Sequence, residues 1–366
     1  MLEKQLTKLT IKDLTKCFSK LGYQLPKILR KAELLNKLSI DIENTKQFYN
    51  NIPNDQYTEH IISLDMGLKN MSLSRFTIES NKSKSTKSKP VLQQWFKIDL
   101  EPYDEYQFSP VNYSLITDEF LREYLLPKRF QDNNVYTVIA ERQRFRTNGS
   151  PRVLETTLKS NTVEAMLAMG LITHNRLSPG NRISFHSSAP GAMVNYWQSK
   201  YYYDESMDKV KISEKDSKNF RIDLALSMLH DALNTAGINF EKTNLNESIV
   251  DKLRTRNQHG FEIPDGLVKN FDKRCKKSEF VESWEKAWEY KSKSRRLWEV
   301  SRLLNLCNKD EYKVPDLDKL WGKVKGDDLA DSLLHGLQYF DHLQNRKIFI
   351  NMISKDKSDI KEFLED

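Results

Sequence analysis

Three places in the chain put carboxylates where chemistry could use them. Asp65 ends the apolar run Ile61-Ile62-Ser63-Leu64, and Glu141 ends Tyr136-Thr137-Val138-Ile139-Ala140. Both runs read as buried strands. Asp327, Asp328 and Asp331 open a stretch whose apolar side is Leu329, Leu333, Leu337 and Phe340. On a helix, Asp331 shares a face with Asp328 or with Asp327. If the two strands are neighbours and the helix packs across them, the acids converge. Converging carboxylates repel, and their pKa values rise unless a cation is present. Hard divalent cations prefer such oxygen ligands, and two of them roughly 4 Å apart can activate a water and stabilise the leaving oxygen of a phosphodiester.

Each acid also has an ordinary explanation. An Asp after a strand commonly caps a turn, and acids at a helix start are favoured by the helix dipole whatever the function. Glu141 is more telling, because Arg142-Gln143-Arg144-Phe145-Arg146 follows at once. An acid at a strand end beside three arginines suits metal binding next to phosphate contacts. Lys323 and Lys325 precede the last acidic group in the same way. Phe145, Tyr196 and Trp197 are candidates for stacking on bases, with burial the stronger reading for Trp197. Ser187-Ser188-Ala189-Pro190-Gly191 reads as a turn after a strand.

The elements that must position these residues are legible in outline. Further strands are expected at Met71 to Ile78, Val91 to Ile98 and Arg182 to His186. Helices are expected at Thr117 to Leu126, Leu154 to Met169, Arg221 to Asn234, Phe280 to Leu306 and Asp327 to His342. The basic stretch Asn81 to Pro90 reads as a loop linking a hairpin. Ahead of all this, Thr10 is a suitable N-cap for a helix carrying Ile11, Leu14 and Phe18, and Gly22 suits its left-handed end. A second helix follows Arg30, with Ala32, Leu34, Leu35 and Leu38 on its apolar side. The expected organisation is a helical unit over 1–45, a polar linker over 46–57, a main domain over 58–345 with a mostly helical insertion at 201–320, and a tail over 346–366.

Composition narrows the class. The chain has 366 residues, a net charge of +7, 38% hydrophobic and 30% charged residues. A basic chain fits a polyanionic partner, since each cation set against a phosphate releases a counterion. Cys17, Cys275 and Cys307 have no paired spacing, so reduced thiols are expected rather than disulfides or a zinc site. No apolar run approaches the roughly 20 residues of a membrane span. The first residues, with Glu3 and Asp13 beside Lys4 and Lys8, do not read as a cleavable signal. An Asp-x-Gly after a first strand also opens the phosphate loop of actin-like phosphotransferases. Those enzymes need further Gly-rich loops, and the 12 glycines here supply none after Glu141. A non-catalytic DNA-binding protein of the same fold is the other rival.

Taken together, Ile62-Ser63-Leu64-Asp65-Met66-Gly67-Leu68-Lys69-Asn70, then Ile139-Ala140-Glu141-Arg142-Gln143-Arg144, then Asp327-Asp328-Leu329-Ala330-Asp331-Ser332-Leu333-Leu334 resemble the three acidic motifs of the fungal mitochondrial Holliday-junction resolvases. These belong to the RuvC-like branch of the ribonuclease-H-like superfamily. The first forty residues, with Arg30-Lys31-Ala32-Glu33-Leu34-Leu35 after a Leu-Gly turn, resemble the SAP module, a helical DNA-binding hairpin that such enzymes commonly carry. The resemblance does not extend in detail to 201–320. It implies an α/β fold, a ribonuclease-H-like mixed sheet flanked by helices, and a mitochondrial, Mg²⁺- or Mn²⁺-dependent endonuclease. That enzyme would be a homodimer cutting two opposed strands of a four-way DNA junction, with no membrane and no small-molecule substrate. It implies Asp65, Glu141 and Asp331 as metal ligands, with Asp327 or Asp328 as a fourth. Arg142, Gln143, Arg144, Arg146, Lys323, Lys325 and Lys31 are the implied DNA contacts, and His335 is expected to be structural.

Overall fold

A computed structural model describes residues 6–26, 30–81, 89–101, 108–126, 134–142, 155–177, 182–188, 190–202, 212–238, 245–256, 260–306, 323–355 and 360–365. Two compact units emerge. One is Met1–Tyr57 with Glu79–Lys87 and Tyr339–Asp366, and the other is Thr58–Ile78 with Ser88–Gln338.

The smaller unit is helical. Helix α1 (Ile11–Leu21) starts at Thr10, whose side chain accepts from the Asp13 amide while Asp13 reaches back, a reciprocal capping box. It stops at Gly22, whose φ of 64° lies in the left-handed region. Helix α2 (Lys31–Asn50) is longer than its first apolar stripe suggests. The polar stretch expected as a linker from residue 46 continues that helix to Asn50. Lys46-Gln47-Phe48-Tyr49-Asn50 contains no Gly or Pro that would stop the helix earlier. Residues 346–366 are likewise not a tail. The last long helix runs to Lys355 and a short one follows at Ile360–Glu365. Phe349, Ile353, Ile360 and Phe363 join Leu14, Phe18, Leu34, Leu38 and Ile42 in one apolar cluster. A hairpin of two helices buries too little surface alone, and the chain's last residues supply the missing side of its core.

The larger unit is built on five strands, β1 (Gln56–Asp65), β2 (Met71–Asn81), β3 (Val91–Ile98), β4 (Asn134–Glu141) and β5 (Ile183–Ser188), in the order β3-β2-β1-β4-β5. β1, β4 and β5 run parallel and β2 pairs antiparallel with β3, so the sheet is mixed as expected. Strands buried on both faces read as continuous apolar runs, which is why β1 and β4 stand out in the sequence. The free edge of β3 is covered, with the amides of Leu92 and Trp95 donating to the carbonyls of Glu262 and Leu306, each at 2.9 Å.

Helices α3 (Pro110–Phe120), α4 (Glu155–Leu177) and α5 (Pro190–Tyr201) flank the sheet strands in sequence. The region 201–320 contributes α6 (Glu214–Thr235), α7 (Glu247–Arg256), α8 (Asp265–Cys275), α9 (Ser278–Glu289) and α10 (Lys293–Leu304). The single helix expected over Phe280 to Leu306 is therefore two. Tyr290 leaves the helical region, and Ser292 caps the next helix by accepting from the Arg295 amide. Cys17 and Cys275 are free thiols as expected, and Cys307 lies outside the described residues. No described helix is long and apolar enough to cross a membrane.

Helix α11 (Asp327–Lys355) crosses the sheet. Its first turns are fixed by side chains bonded to its own backbone. The Trp95 indole donates to the Leu329 carbonyl at 3.1 Å, the Trp197 indole to Leu334 at 3.0 Å and the Ser74 hydroxyl to Ser332 at 2.8 Å. Trp197 is therefore core, and its stacking role falls away. Gly336 makes the crossing close enough, because a Cβ there would lie 2.5 Å from the Phe76 ring and 3.3 Å from Ser63 Cβ. Gly336→Val should therefore destabilise the protein by about 1–3 kcal/mol through overpacking, despite removing a helix-weakening glycine. Thermal unfolding would reveal it, and an unchanged Tm would mean the helix is free to lift.

Candidate active site

Strand pairing places the first two acids. β1 and β4 run in parallel register up to Leu64 opposite Ala140, so the next residues, Asp65 and Glu141, end their strands side by side. Helix α11 brings the third. Asp65, Glu141 and Asp331 each offer an oxygen within 4.8 Å of the others. Such an oxygen-only set, drawn from three elements, fits a hard divalent cation.

The electrostatics carry the mark of that fit. Burial, followed by the charges of Glu141, Asp328 and Asp331, holds the Asp65 carboxyl well above the usual range. Burial likewise raises Asp331 to about 6, although Arg221 pulls it down. Burial also pushes Glu141 upward, but its interactions with His335 and Arg221, and a hydrogen bond from Asp65, bring it below its ordinary value. Without a cation, the cluster relieves its repulsion by keeping a proton on Asp65.

The remaining acids and bases sort around this centre. Asp327 pairs with Lys218 at 2.7 Å and Lys325 at 3.0 Å. Asp328 pairs with Lys325 at 3.0 Å and with the fully buried Lys97 at 3.3 Å. Lys97 also donates to the carbonyls of Lys323 at 3.2 Å and Lys325 at 2.9 Å, tying down the approach to α11. Asp327 and Asp328 are thus both held by lysines, beside the three acids whose oxygens converge. His335, one turn beyond Asp331, lies 3.7 Å from Glu141 through Nε2 and 3.2 Å from the Ser188 hydroxyl through Nδ1.

Of the expected DNA contacts, Arg142 extends the pairing of β4 with β5, its amide donating to the Ser188 carbonyl at 2.8 Å and its Nε to the Ser187 hydroxyl at 3.2 Å. Ser187 and Ser188 thus end a strand rather than form a turn. Lys323 is exposed, Lys325 is engaged by Asp327 and Asp328, and Lys31 is exposed but donates to the Thr7 carbonyl at 2.7 Å. Gln143, Arg144, Phe145 and Arg146 lie outside the described residues. Sequence reasoning missed Arg221, Lys218 and Lys97. Lys218 and Arg221 stand three apart on α6, a spacing that puts them on one face, but nothing local marks that face as the one meeting the acids.

Residues 61–349 match the model of the family described as mitochondrial resolvase Ydc2 / RNA splicing MRS1. The chain belongs to this family. It is also 25% identical over 312 residues to cruciform cutting endonuclease 1, mitochondrial, of Saccharomyces cerevisiae, a match spanning 81% of this chain and 72% of that protein. The crystal structure of the yeast mitochondrial Holliday junction resolvase Ydc2 aligns over 95% of this chain and 98% of its own, with a TM-score of 0.46 and 15% identity. The Ydc2/MRS1 match takes in all five acids, the second half of β1, β2 through β5 and α11 as far as Phe349, and it extends through the helical region 201–320 that the motifs alone left out.

The raised carboxyls make cation-free stability fall as pH rises. Between the ordinary Asp value of 3.8 and about 6, the folded protein holds protons at Asp331 that the unfolded chain has released, so unfolding gains on folding across that window. Asp65 extends the same sign to higher pH. Asp65→Asn should accordingly raise the Tm of the cation-free protein at neutral pH, and it should abolish the stabilisation that Ca²⁺ gives the parent. A thermal-shift series across pH, with and without Ca²⁺, reads both effects. A lowered Tm in the variant would show that Asp65 is held by favourable contacts instead.

Proposed function

We propose that this chain is a structure-selective endodeoxyribonuclease that resolves four-way DNA junctions in mitochondria. It hydrolyses phosphodiester bonds on two opposed strands with a divalent cation. The observation that carries this reading is the convergence of Asp65, Glu141 and Asp331 within a family described by its resolvase member. The relative in Saccharomyces cerevisiae is named as a cruciform cutting endonuclease.

Asp65, Glu141 and Asp331 would hold the cation, with Asp327 or Asp328 as a fourth ligand. Oxygen donors alone favour Mg²⁺ or Mn²⁺. When bound, the cation supplies charge to activate a water and to stabilise the leaving oxygen. The chain's own residues do the positioning. Arg142, Gln143, Arg144 and Arg146, which follow Glu141 in the sequence, and Lys323 and Lys325, which precede the last acids, would hold the phosphate backbone without reading sequence. The helical unit of α1 and α2, including Lys31, would add further backbone contacts. Selectivity for the junction then comes from its shape and from bases that unstack at the crossover.

Paired cuts call for two copies, and one face of the larger unit suits that role. Val111 and Leu115 on α3 and Leu158, Met169 and Ile172 on α4 are exposed. The two helices lie side by side, with Ser114 and Thr117 against Met166. Between Glu164 and His174, α4 carries no charge. The outward faces, about 34 and about 16 Å long and each about 10 Å wide, offer roughly 500 Å². That is the larger part of the about 800 Å² per partner that a stable interface takes. A two-fold pairing of this self-complementary face would form a homodimer with two equivalent sites.

Two experiments follow. Asp65→Asn and Glu141→Gln should each lower cleavage of a synthetic four-way junction at least about 100-fold, with binding kept within about threefold, since cation positioning alone is lost. Wild-type cuts in Mg²⁺ should be paired on opposed strands near the branch point, with linear duplex largely spared and Ca²⁺ supporting binding but not cutting. Binding without any cutting by the wild-type chain would instead favour a non-catalytic nucleic-acid-binding member of the family. Leu115→Glu with Met169→Glu should give a monomer by light scattering and unpaired nicks. An unchanged mass would remove this face as the interface.

A further inference from the structure

Helix α6 lies in the region for which the sequence suggested no role, yet it sends Arg221 into the acid cluster. The guanidinium meets Asp331 in a two-pronged pair, with Nε donating to Oδ1 at 2.6 Å and Nη2 to Oδ2 at 3.1 Å. Its third nitrogen, Nη1, donates to the Ser217 hydroxyl one turn earlier on the same helix at 3.2 Å. The side chains of Arg221 and Asp331 are only 16% and 15% exposed. This is a fully engaged, largely buried guanidinium, and a fork of this kind fixes orientation as well as charge.

Charge counting shows what it does there. Asp327 and Asp328 already have lysine partners, so the charges left to answer are those of Asp65, Glu141 and Asp331, three when ionised, and one divalent cation leaves one of them uncompensated. A guanidinium keeps its proton at any working pH, so Arg221 brings the loaded site to neutrality. In the cation-free protein, however, both oxygens of Asp331 already serve the guanidinium, and one of these same oxygens faces Asp65 and Glu141. A cation that takes Asp331 competes with Arg221 for it. The displaced positive charge is then one carboxylate away from where a phosphodiester must dock.

We propose that Arg221 is a built-in stand-in for the catalytic cation. It holds Asp331 in place before the cation binds, yields the carboxylate when the cation arrives, and then faces the substrate phosphate. This rests on the nuclease reading of the site, and it makes α6 a working part of that site rather than a decoration on the fold. Arg221 is a positioning residue toward Asp331 and an electrostatic partner of the incoming phosphate.

The test uses the full-length wild-type chain, Arg221→Gln and Arg221→Lys. Cation-free Tm and Ca²⁺ affinity by calorimetry are measured without DNA, so they do not depend on cleavage. Removing the competing charge should lower the cation-free Tm of Arg221→Gln and tighten its Ca²⁺ binding by about tenfold. Arg221→Lys, which keeps the charge but not the fork, should fall between. In Mg²⁺, Arg221→Gln should cut a four-way junction at least tenfold more slowly, with its affinity in Ca²⁺ within threefold of wild type. Unchanged or weakened Ca²⁺ binding in Arg221→Gln would overturn the stand-in, and wild-type cutting by that variant would overturn the hand-over to phosphate. If the wild-type chain cuts no junction, the nuclease reading fails, while the Ca²⁺ titration still decides whether Arg221 competes for the site.

Discussion

Carboxylates that repel one another must be held together by something other than their own interactions, and in this protein that task falls to the docking of α11 on the sheet. Asp65 and Glu141 are placed by parallel pairing of β1 and β4, which fixes neighbouring strand ends without help from side chains. Asp331 has no such guarantee. It depends on a helix whose rotation and height above the sheet are set by Trp95, Trp197 and Ser74 bonding to helix carbonyls, and by Gly336 allowing close approach to Phe76. These contacts are short-ranged, buried and mutually reinforcing, so they can oppose a repulsion that acts at all times when no cation is bound.

The same constraint explains the cations around the site. Lys97 is buried without solvent access, and its burial is offset by Asp328 and by two carbonyls on the approach to α11. Lys218 and Lys325 answer Asp327, and Arg221 answers Asp331. Each acid at the start of α11 therefore meets a base drawn from another part of the chain, whereas Asp65 is relieved by a proton. This asymmetry is physically reasonable. The two sheet acids sit on a rigid frame that tolerates repulsion, while a helix start would fray under it.

How much of this could be read beforehand follows from the range of each interaction. The acids were legible because a strand end and a helix start are local patterns, and three such patterns in order carry family resemblance. The strands themselves were legible because burial on both faces writes an unbroken apolar run. Lys97 and Arg221 were not legible. Lys97 meets Asp328 from 231 positions away and Arg221 meets Asp331 from 110, and neither stands in a run that marks its target. The linker and tail misread for a related reason. The mixed residues through Asn50 permit a helix or a linker equally, and the apolar residues after 346 declare their role only beside Phe18 and Leu38.

A family whose description joins a resolvase with an RNA-splicing protein raises the question of what separates cutting from holding. Binding a phosphate backbone needs positive charge on a surface of the right shape, and a nucleic-acid-binding member of the fold would be better served without buried acids that repel the backbone. Keeping Asp65 buried beside Glu141 is costly in a protein that never binds a cation, because one carboxyl must then be held protonated far above its ordinary range. Nothing in the packing of β1 requires an acid at that position. A neutral side chain such as Asn would fill the same space and lift the repulsion. Three converging acids, each positioned by a different element, thus carry an electrostatic cost that a bound divalent cation would remove.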